Sequence, residues 1–76
     1  MKINNALRKR LEILLPYEYR GIVVERLKAR GITIHPNTVY NVLNGSDNTE
    51  VAMELMKLAR ERKAAQTQFE ELSKQI

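Results

Sequence analysis

Cysteine and tryptophan are absent from this 76-residue chain, and histidine and phenylalanine each occur once. Without cysteine the chain has no disulfide and no thiolate metal site, and His35 alone does not make a zinc site. No apolar run exceeds three residues, as in Ile13–Leu15, whereas a membrane-spanning helix needs roughly 20. The first residues also lack the apolar core of a secretion signal. We therefore expect a cytoplasmic protein without a membrane segment.

Residue patterns typical of enzymes are also missing. The chain has three glycines, and they do not form a glycine-rich phosphate loop. No serine, histidine and acid occur in an order typical of nucleophilic catalysis, and no side chains occur at metal-ligand spacing. We expect no catalytic residues, no bound metal and no cofactor.

The positive charge is concentrated in one part of the chain. The whole sequence carries a formal net charge of +4. Residues 1–45 hold eight basic and three acidic residues, whereas residues 46–76 hold five basic and six acidic residues. Nucleic acid is a natural partner for such a basic surface, although charge alone gives only non-specific attraction.

Apolar residues recur at helical spacing through almost the whole chain, so the sequence predicts an all-α fold. A stripe of five apolar residues indicates a first helix over about residues 4–15: Ile3, Leu7, Leu11, Leu14 and Leu15. Proline interrupts this helix, and a second helix is expected to begin at Pro16 or Tyr17 and to end at Gly31. The segment from residue 32 to 34 is too short for a strand and is expected to be a turn.

Two further helices are predicted in the second half of the chain. Pro36 at a first helical position and the cap sequence Asn44–Gly45 indicate a short third helix, with His35 at the surface or in the cap. A fourth helix, capped by Asn48 or Thr49, is expected to run to about residue 74, because no proline or glycine follows.

The third helix has an apolar side and a polar side. Val39, Val42 and Leu43 share one side and should face the core. The other side chains are uncharged hydrogen-bonding groups: Asn37, Thr38, Tyr40, Asn41 and Asn44. Such groups suit contacts with base edges in the major groove, which admits a helix, but the same composition also fits an ordinary solvated helix face.

Residues 23–45, VVERLKARGITIHPNTVYNVLNG, resemble the helix-turn-helix of lambda-repressor-like and LacI-type bacterial and phage regulators. The most specific part, TVYNVLNG at residues 38–45, is similar to the TVSRVLNG pattern typical of their recognition helices. The resemblance extends from Tyr17 to about Arg60. In that family the recognition helix lies in the major groove and the preceding helix crosses the DNA backbone. The stretch from Gly31 to Val39 is longer than in the commonest form, which predicts a longer turn.

The resemblance implies DNA contacts by both helices of the motif. Carried over by position, it implies base contacts by Pro36, Asn37, Tyr40 and Asn41, and backbone contacts by Thr38 and Asn44. Basic residues on or after the first motif helix are expected to contact phosphates: Arg20, Arg26, Lys28 and Arg30. The run Arg8–Arg10 joins them if its side of the first helix faces DNA.

The fourth helix carries a heptad seam along its whole length: Val51, Leu55, Leu58, Arg62, Ala65, Phe69, Leu72 and Ile76. We assign its first turns to the domain core and expect the second half to pack against a second subunit through Ala65, Phe69, Leu72 and Ile76. Two alternatives remain open: the second half folds back on Ile3, Leu7 and Leu11, or it frays.

The sequence therefore predicts a small helical bundle with a central helix-turn-helix and a long C-terminal helix. The expected organisation is a DNA-binding domain over residues 1–60 and a helical extension over residues 61–76. We expect a sequence-specific transcriptional regulator of bacterial or phage type that binds double-stranded DNA as a homodimer. One alternative is an antitoxin-like or adaptor protein whose C-terminal helix binds another protein. A second is a peripheral membrane protein whose amphipathic helix, residues 3–15, rests on an anionic membrane.

Overall fold

The computed structural model describes residues 2–75, and this part of the chain forms four α-helices and no β-strand. The helices are α1 (Asn5–Leu14), α2 (Tyr19–Ala29), α3 (Pro36–Leu43) and α4 (Thr49–Lys74). The predicted all-α fold with a long C-terminal helix is confirmed. Within the described range, no helix combines the length and the apolar character that crossing a membrane requires.

Side-chain caps fix the beginnings of three helices. Asn4 and Asn48 each accept a hydrogen bond from the backbone N–H three residues later, at 2.8 and 3.2 Å. The Nδ1 atom of His35 accepts from the backbone N–H of Asn37 at 3.1 Å, and Pro36 occupies the first helical position. Each cap satisfies a donor that the first turn of a helix leaves without an intrahelical partner. The capping roles expected for His35 and Asn48 are confirmed.

The second helix begins later than the sequence predicts. Leu15 is extended, with φ −71° and ψ 140°, as is usual for a residue before proline. The backbone N–H of Tyr19 then donates to the carbonyl of Pro16 at 3.1 Å. Residues 16–18 therefore close a separate turn, and α2 begins at Tyr19 rather than at Pro16 or Tyr17.

Residues 30–35 connect α2 to α3. Gly31 has φ 84°, a left-handed conformation that glycine adopts without the strain of a Cβ atom. The next N–H, that of Ile32, donates to the carbonyl of Leu27 at 2.9 Å and so closes the end of α2. Ile32 and Ile34 are half-buried against the core. The segment forms no strand, as expected, but the turn lies at residues 30–31, and residues 32–35 are an irregular connection that the two isoleucines attach to the bundle.

One hydrophobic core joins the four helices. Its buried members are Ile3, Leu11, Val23, Leu27, Val39, Val42, Leu43, Val51, Ala52, Leu55, Leu58 and Ala59. Leu7 and Leu14, on the same side of α1 as Leu11, are partly buried against this cluster. The apolar side of α1 is thus used inside the bundle, which contradicts the alternative in which that side rests on a membrane.

The helix α4 has a buried half and an exposed half. Its buried positions end at Ala59, and residues 60–75, here called the tail, are all exposed. At 26 residues α4 is about 39 Å long, which exceeds the bundle that it packs against. The described tail is helical to Lys74 and does not fold back on the domain. Ile76, predicted for the seam, lies outside the described residues.

Candidate nucleic-acid interface

The polar side of α3 faces away from the bundle. Val39 and Val42 are buried and hold the helix against the core. On the opposite side, four residues recur at helical spacing and are all exposed: Asn37, Tyr40, Asn41 and Asn44. Pro36 is exposed as well, and Thr38 is half-buried. The residues expected to contact bases are therefore all at the surface of one short helix: Pro36, Asn37, Tyr40 and Asn41.

A cleft of about 350 Å³ lies between this side of α3 and the beginning of α2. It is lined by Glu12, Leu15, Pro16, Tyr17, Tyr19, Arg20, Tyr40, Leu43 and Asn44. Burial raises the pKa of Tyr19; Tyr40 and Glu12 act in the same direction, and Arg20 opposes them. Arg20 makes no ion pair with any residue of the described range. Arg20, which has no ion pair in this range, and the exposed residue Tyr40 thus line the same cleft.

Asn44 has internal partners that the sequence pattern does not reveal. Its Nδ2 atom donates to the carbonyl of Tyr40 at 2.9 Å, and its Oδ1 atom accepts from Nη1 of Arg8 at 3.2 Å. Arg8 also lies 3.8 Å from the carboxylate of Glu12. These contacts connect α1 to the end of α3. Asn44 therefore has a structural role, in addition to the predicted contact with the DNA backbone.

Two of the four basic residues expected to contact phosphates form ion pairs with α4. Arg26 donates two parallel hydrogen bonds to the carboxylate of Glu61, the longer of them 3.2 Å. Arg30 donates to Glu54 at 3.0 Å and to Glu50 at 2.9 Å. The arginine later in the chain, Arg30, pairs with the earlier positions of α4, and Arg26 pairs with the later one. The pairs therefore fix the two helices in an antiparallel arrangement.

These ion pairs change the electrostatics of α4. The hydrogen bond from Arg26 holds the pKa of Glu61 below its ordinary value of 4.5 and raises that of Arg26. Glu54 is only 4% exposed, and it also lies 3.6 Å from the ammonium group of Lys57. Sequence reasoning missed this set, although Glu50, Glu54 and Glu61 recur on one side of the helix, a pattern that indicates a shared partner surface.

The free positive charge is smaller than the composition suggests. Five basic residues within residues 2–45 make no ion pair with another described residue: Lys2, Lys9, Arg10, Arg20 and Lys28. Two of them, Arg20 and Lys28, belong to α2, the helix expected to cross the DNA backbone. Among residues 2–75, no group of three or more His, Asp or Glu side chains is placed so that it could hold a metal ion.

Comparison of the chain with protein-family models, with curated proteins and with solved structures found no match.

Proposed function

We propose that this protein is a sequence-specific DNA-binding transcriptional regulator of bacterial or phage type, which inserts α3 into the major groove. The observation that carries the proposal is the row of exposed, uncharged hydrogen-bonding side chains on α3, above all Asn37, Tyr40 and Asn41. An asparagine amide both donates and accepts, and so pairs with the two adenine groups that face the major groove. The tyrosine hydroxyl suits a base edge or a phosphate oxygen.

The charges around α3 support this orientation. Arg20 lies at the cleft beside Tyr40, so a phosphate contacted there would lie next to bases contacted by α3. Arg20 and Lys28 are the unpaired basic residues of α2 and supply the phosphate contacts, which fix the register of a protein on DNA without specifying sequence. The resemblance of residues 38–45 to known recognition helices points to the same use of α3. Such a regulator acts in the cytoplasm, where its DNA lies.

Two copies of the chain are proposed to bind one DNA site. A recognition helix of eight residues offers few base contacts, and helix-turn-helix dimers add a second set in a major groove about 34 Å away. The tail presents apolar side chains for association, since Phe69 and Leu72 are 72% and 62% exposed. The same exposure favours a second candidate function, an antitoxin-like or adaptor role in which the tail binds a different protein.

Selection from a random duplex library, with the full chain at about 150 mM salt, tests the proposal. The expected result is an enriched inverted repeat with half-sites about 10 base pairs apart. Tyr40→Ala and Asn41→Ala should change the enriched sequence, whereas Thr67→Ala, on the exposed tail, should not. Weak binding that salt abolishes, without any enriched sequence, would contradict the proposal and leave protein binding by the tail as the remaining candidate.

A further inference from the structure

We infer that two copies of the chain pair through their tails in antiparallel orientation. The inference rests on the homodimer of the proposed function but not on DNA binding. The tail is a helix up to Lys74, with every residue from 60 to 75 exposed. Ala65, Phe69 and Leu72 form one apolar stripe along it, continuing the stripe that Leu55 and Leu58 bury in the domain. A stripe of this kind is stabilised when a second helix removes it from water.

The positions of the stripe, as in any heptad seam, are spaced symmetrically about the middle of the tail. Ala65 and Phe69 are equally far from Thr67 along the chain, and so are Arg62 and Leu72. In an antiparallel pair centred at Thr67, the small Ala65 of one copy faces the large Phe69 of the second, and Arg62 faces Leu72. In a parallel pair in register, Phe69 meets Phe69, Ala65 meets Ala65, and Arg62 meets Arg62. The parallel arrangement leaves a gap at the alanines and opposes two like charges in the seam.

The charges of the tail favour the same orientation. Residues 60–63 hold three basic side chains and one acidic side chain, Glu61, whereas residues 70–75 hold two acidic side chains and one basic side chain, Lys74. The beginning of the tail is therefore net positive and its later part net negative. An antiparallel pair brings the basic part of each copy beside the acidic part of the other. A parallel pair brings like charges together at both places, which costs free energy. Charge complementarity therefore points to a second copy in reversed direction as the occupant of this surface.

The side chains that flank the stripe at its centre are uncharged. In an antiparallel pair, Gln66 and Gln68 each lie near the two-fold axis and face their own counterparts. A charged residue at either position would repel itself. A glutamine amide can both donate to and accept from a second glutamine, so these positions are compatible with the two-fold axis.

Distances between spin labels measure the orientation in the absence of DNA. The chain has no cysteine, so Thr67→Cys and Lys74→Cys each introduce a single label per copy. Both positions lie on the helix side opposite the stripe. In an antiparallel pair the labels at 67 are level, whereas those at 74 are offset along the axis by roughly 21 Å. The expected result is a clearly longer distance at 74 than at 67. Equal distances at the two positions indicate a parallel pair and would overturn the inference.

Sedimentation and light scattering of the unlabelled chain at about 100 µM test the association itself. Phe69→Ala should raise the dissociation constant at least about tenfold, and Thr67→Ala, two residues away on the opposite side, should leave it unchanged. Circular dichroism confirms that both variants keep their helices. A monomeric wild-type chain at this concentration would overturn the inference. Binding of α3 to DNA is measured separately with the selected duplex, and a monomeric chain would not contradict it.

Discussion

Gly21 lies inside α2 and Gly31 just after it, and only the second has a backbone conformation that favours glycine. Gly31 has φ 84°, whereas Gly21 is helical and a Cβ atom added there meets nothing within 4 Å. The left-handed conformation costs an L-residue about 1–2 kcal/mol, so Gly31→Ala should lower the free energy of unfolding by that amount. Gly21→Ala should raise it by about 0.5–1 kcal/mol. Urea denaturation measures both, and a change of the same sign in the two variants would contradict the assigned end of α2.

Asn41 on α3 and Asn44 at the C-cap of α3 are a second pair for comparison, since both are exposed but only Asn44 has side-chain partners among the described residues. Asn41→Ala should cost about 1–3 kcal/mol in binding to the selected DNA site and relax the preference at one base pair. Its melting temperature should stay close to that of the wild type. Binding titrations with the site and its single-base variants provide the measurement. An equal loss for every sequence would contradict the placement of Asn41 at a base.

Asn44→Ala should instead act on stability. The change removes the hydrogen bonds to Arg8 and to the carbonyl of Tyr40, which together are expected to stabilise the fold by about 1–2 kcal/mol. Thermal unfolding followed by circular dichroism measures the effect, with Asn41→Ala as the control on the same helix. If Asn44→Ala leaves the melting temperature unchanged, the connection between α1 and α3 does not contribute to stability.

Single residues that act on their immediate neighbours were the most predictable features of the sequence. Gly31, His35, Pro36 and Asn48 have the conformations or caps that their residue types favour, because each interaction spans only a few residues. Asn44 was less predictable, since its partner Arg8 is 36 residues away and its contact depends on how α1 and α3 pack.

At the scale of helices, most bounds followed from local rules, whereas the beginning of α2 and the ion pairs did not. The beginning of α3 and both ends of α4 lie where the sequence predicted them. The pair of Arg26 and Glu61 joins residues 35 apart, and its formation depends on the angle between α2 and α4. The sequence alone assigned Arg26 to a DNA phosphate, because the angle between α2 and α4 is not visible in the sequence. The acidic side of α4 was visible in the spacing but needed a known neighbour to be interpreted.

The ion pair between α2 and α4 makes a prediction about pH. The pKa of Glu61 is lowered in the folded state by its hydrogen bond with Arg26, so the pair stabilises the fold above the unfolded pKa. This stabilisation is lost as the pH falls through the folded value, which lies below 4.5. The difference in unfolding free energy between wild type and Glu61→Gln should therefore be largest near about pH 6 and shrink towards about pH 3. Urea titrations at several pH values measure it.

Glu71→Gln is the matched control for this prediction, because Glu71 lies on the exposed tail and makes no ion pair with a described residue. Its difference from the wild type, measured on the monomer at low protein concentration, should vary little over the same pH range. A difference for Glu61→Gln that stays constant with pH would show that the pair does not couple the stability of α2 and α4 to protonation.

The whole molecule combines a small bundle with an exposed helical tail. Its longest dimension is 44 Å, close to the length of α4, and Ala59 is the last buried residue of the described range. The sequence predicted this division because the heptad seam continues without glycine or proline beyond what a small core covers. It could not predict what the seam contacts, since the heptad spacing alone is the same for a second copy and for a different protein. The size match of Ala65 with Phe69 in an antiparallel pair and the divided charge of the tail are what favour a second copy.

At this scale the balance between paired and unpaired charges decides how the protein should respond to salt. Each phosphate contact that a basic residue makes contributes about one unit to the slope of log Kd against log salt concentration. Arg20 and Lys28 make no ion pair within the described residues, so Arg20→Ala and Lys28→Ala should each weaken binding to all sequences and flatten this slope by about one unit. Arg26→Ala should leave the slope unchanged and lower stability, because Arg26 is bound to Glu61. Titrations of the selected duplex at four or five salt concentrations provide the slopes.

The outcome for Arg26 distinguishes two uses of the same side chain. If Arg26→Ala also flattens the slope, then Arg26 leaves Glu61 when DNA binds, and breaking that pair opposes binding. Glu61→Gln would in that case tighten DNA binding, since it frees Arg26 in advance. If instead Glu61→Gln weakens stability and leaves DNA affinity unchanged, the ion pair belongs to the scaffold. The proposed DNA-binding surface then consists of Arg20, Lys28 and the basic residues of α1 without an ion pair, Lys9 and Arg10.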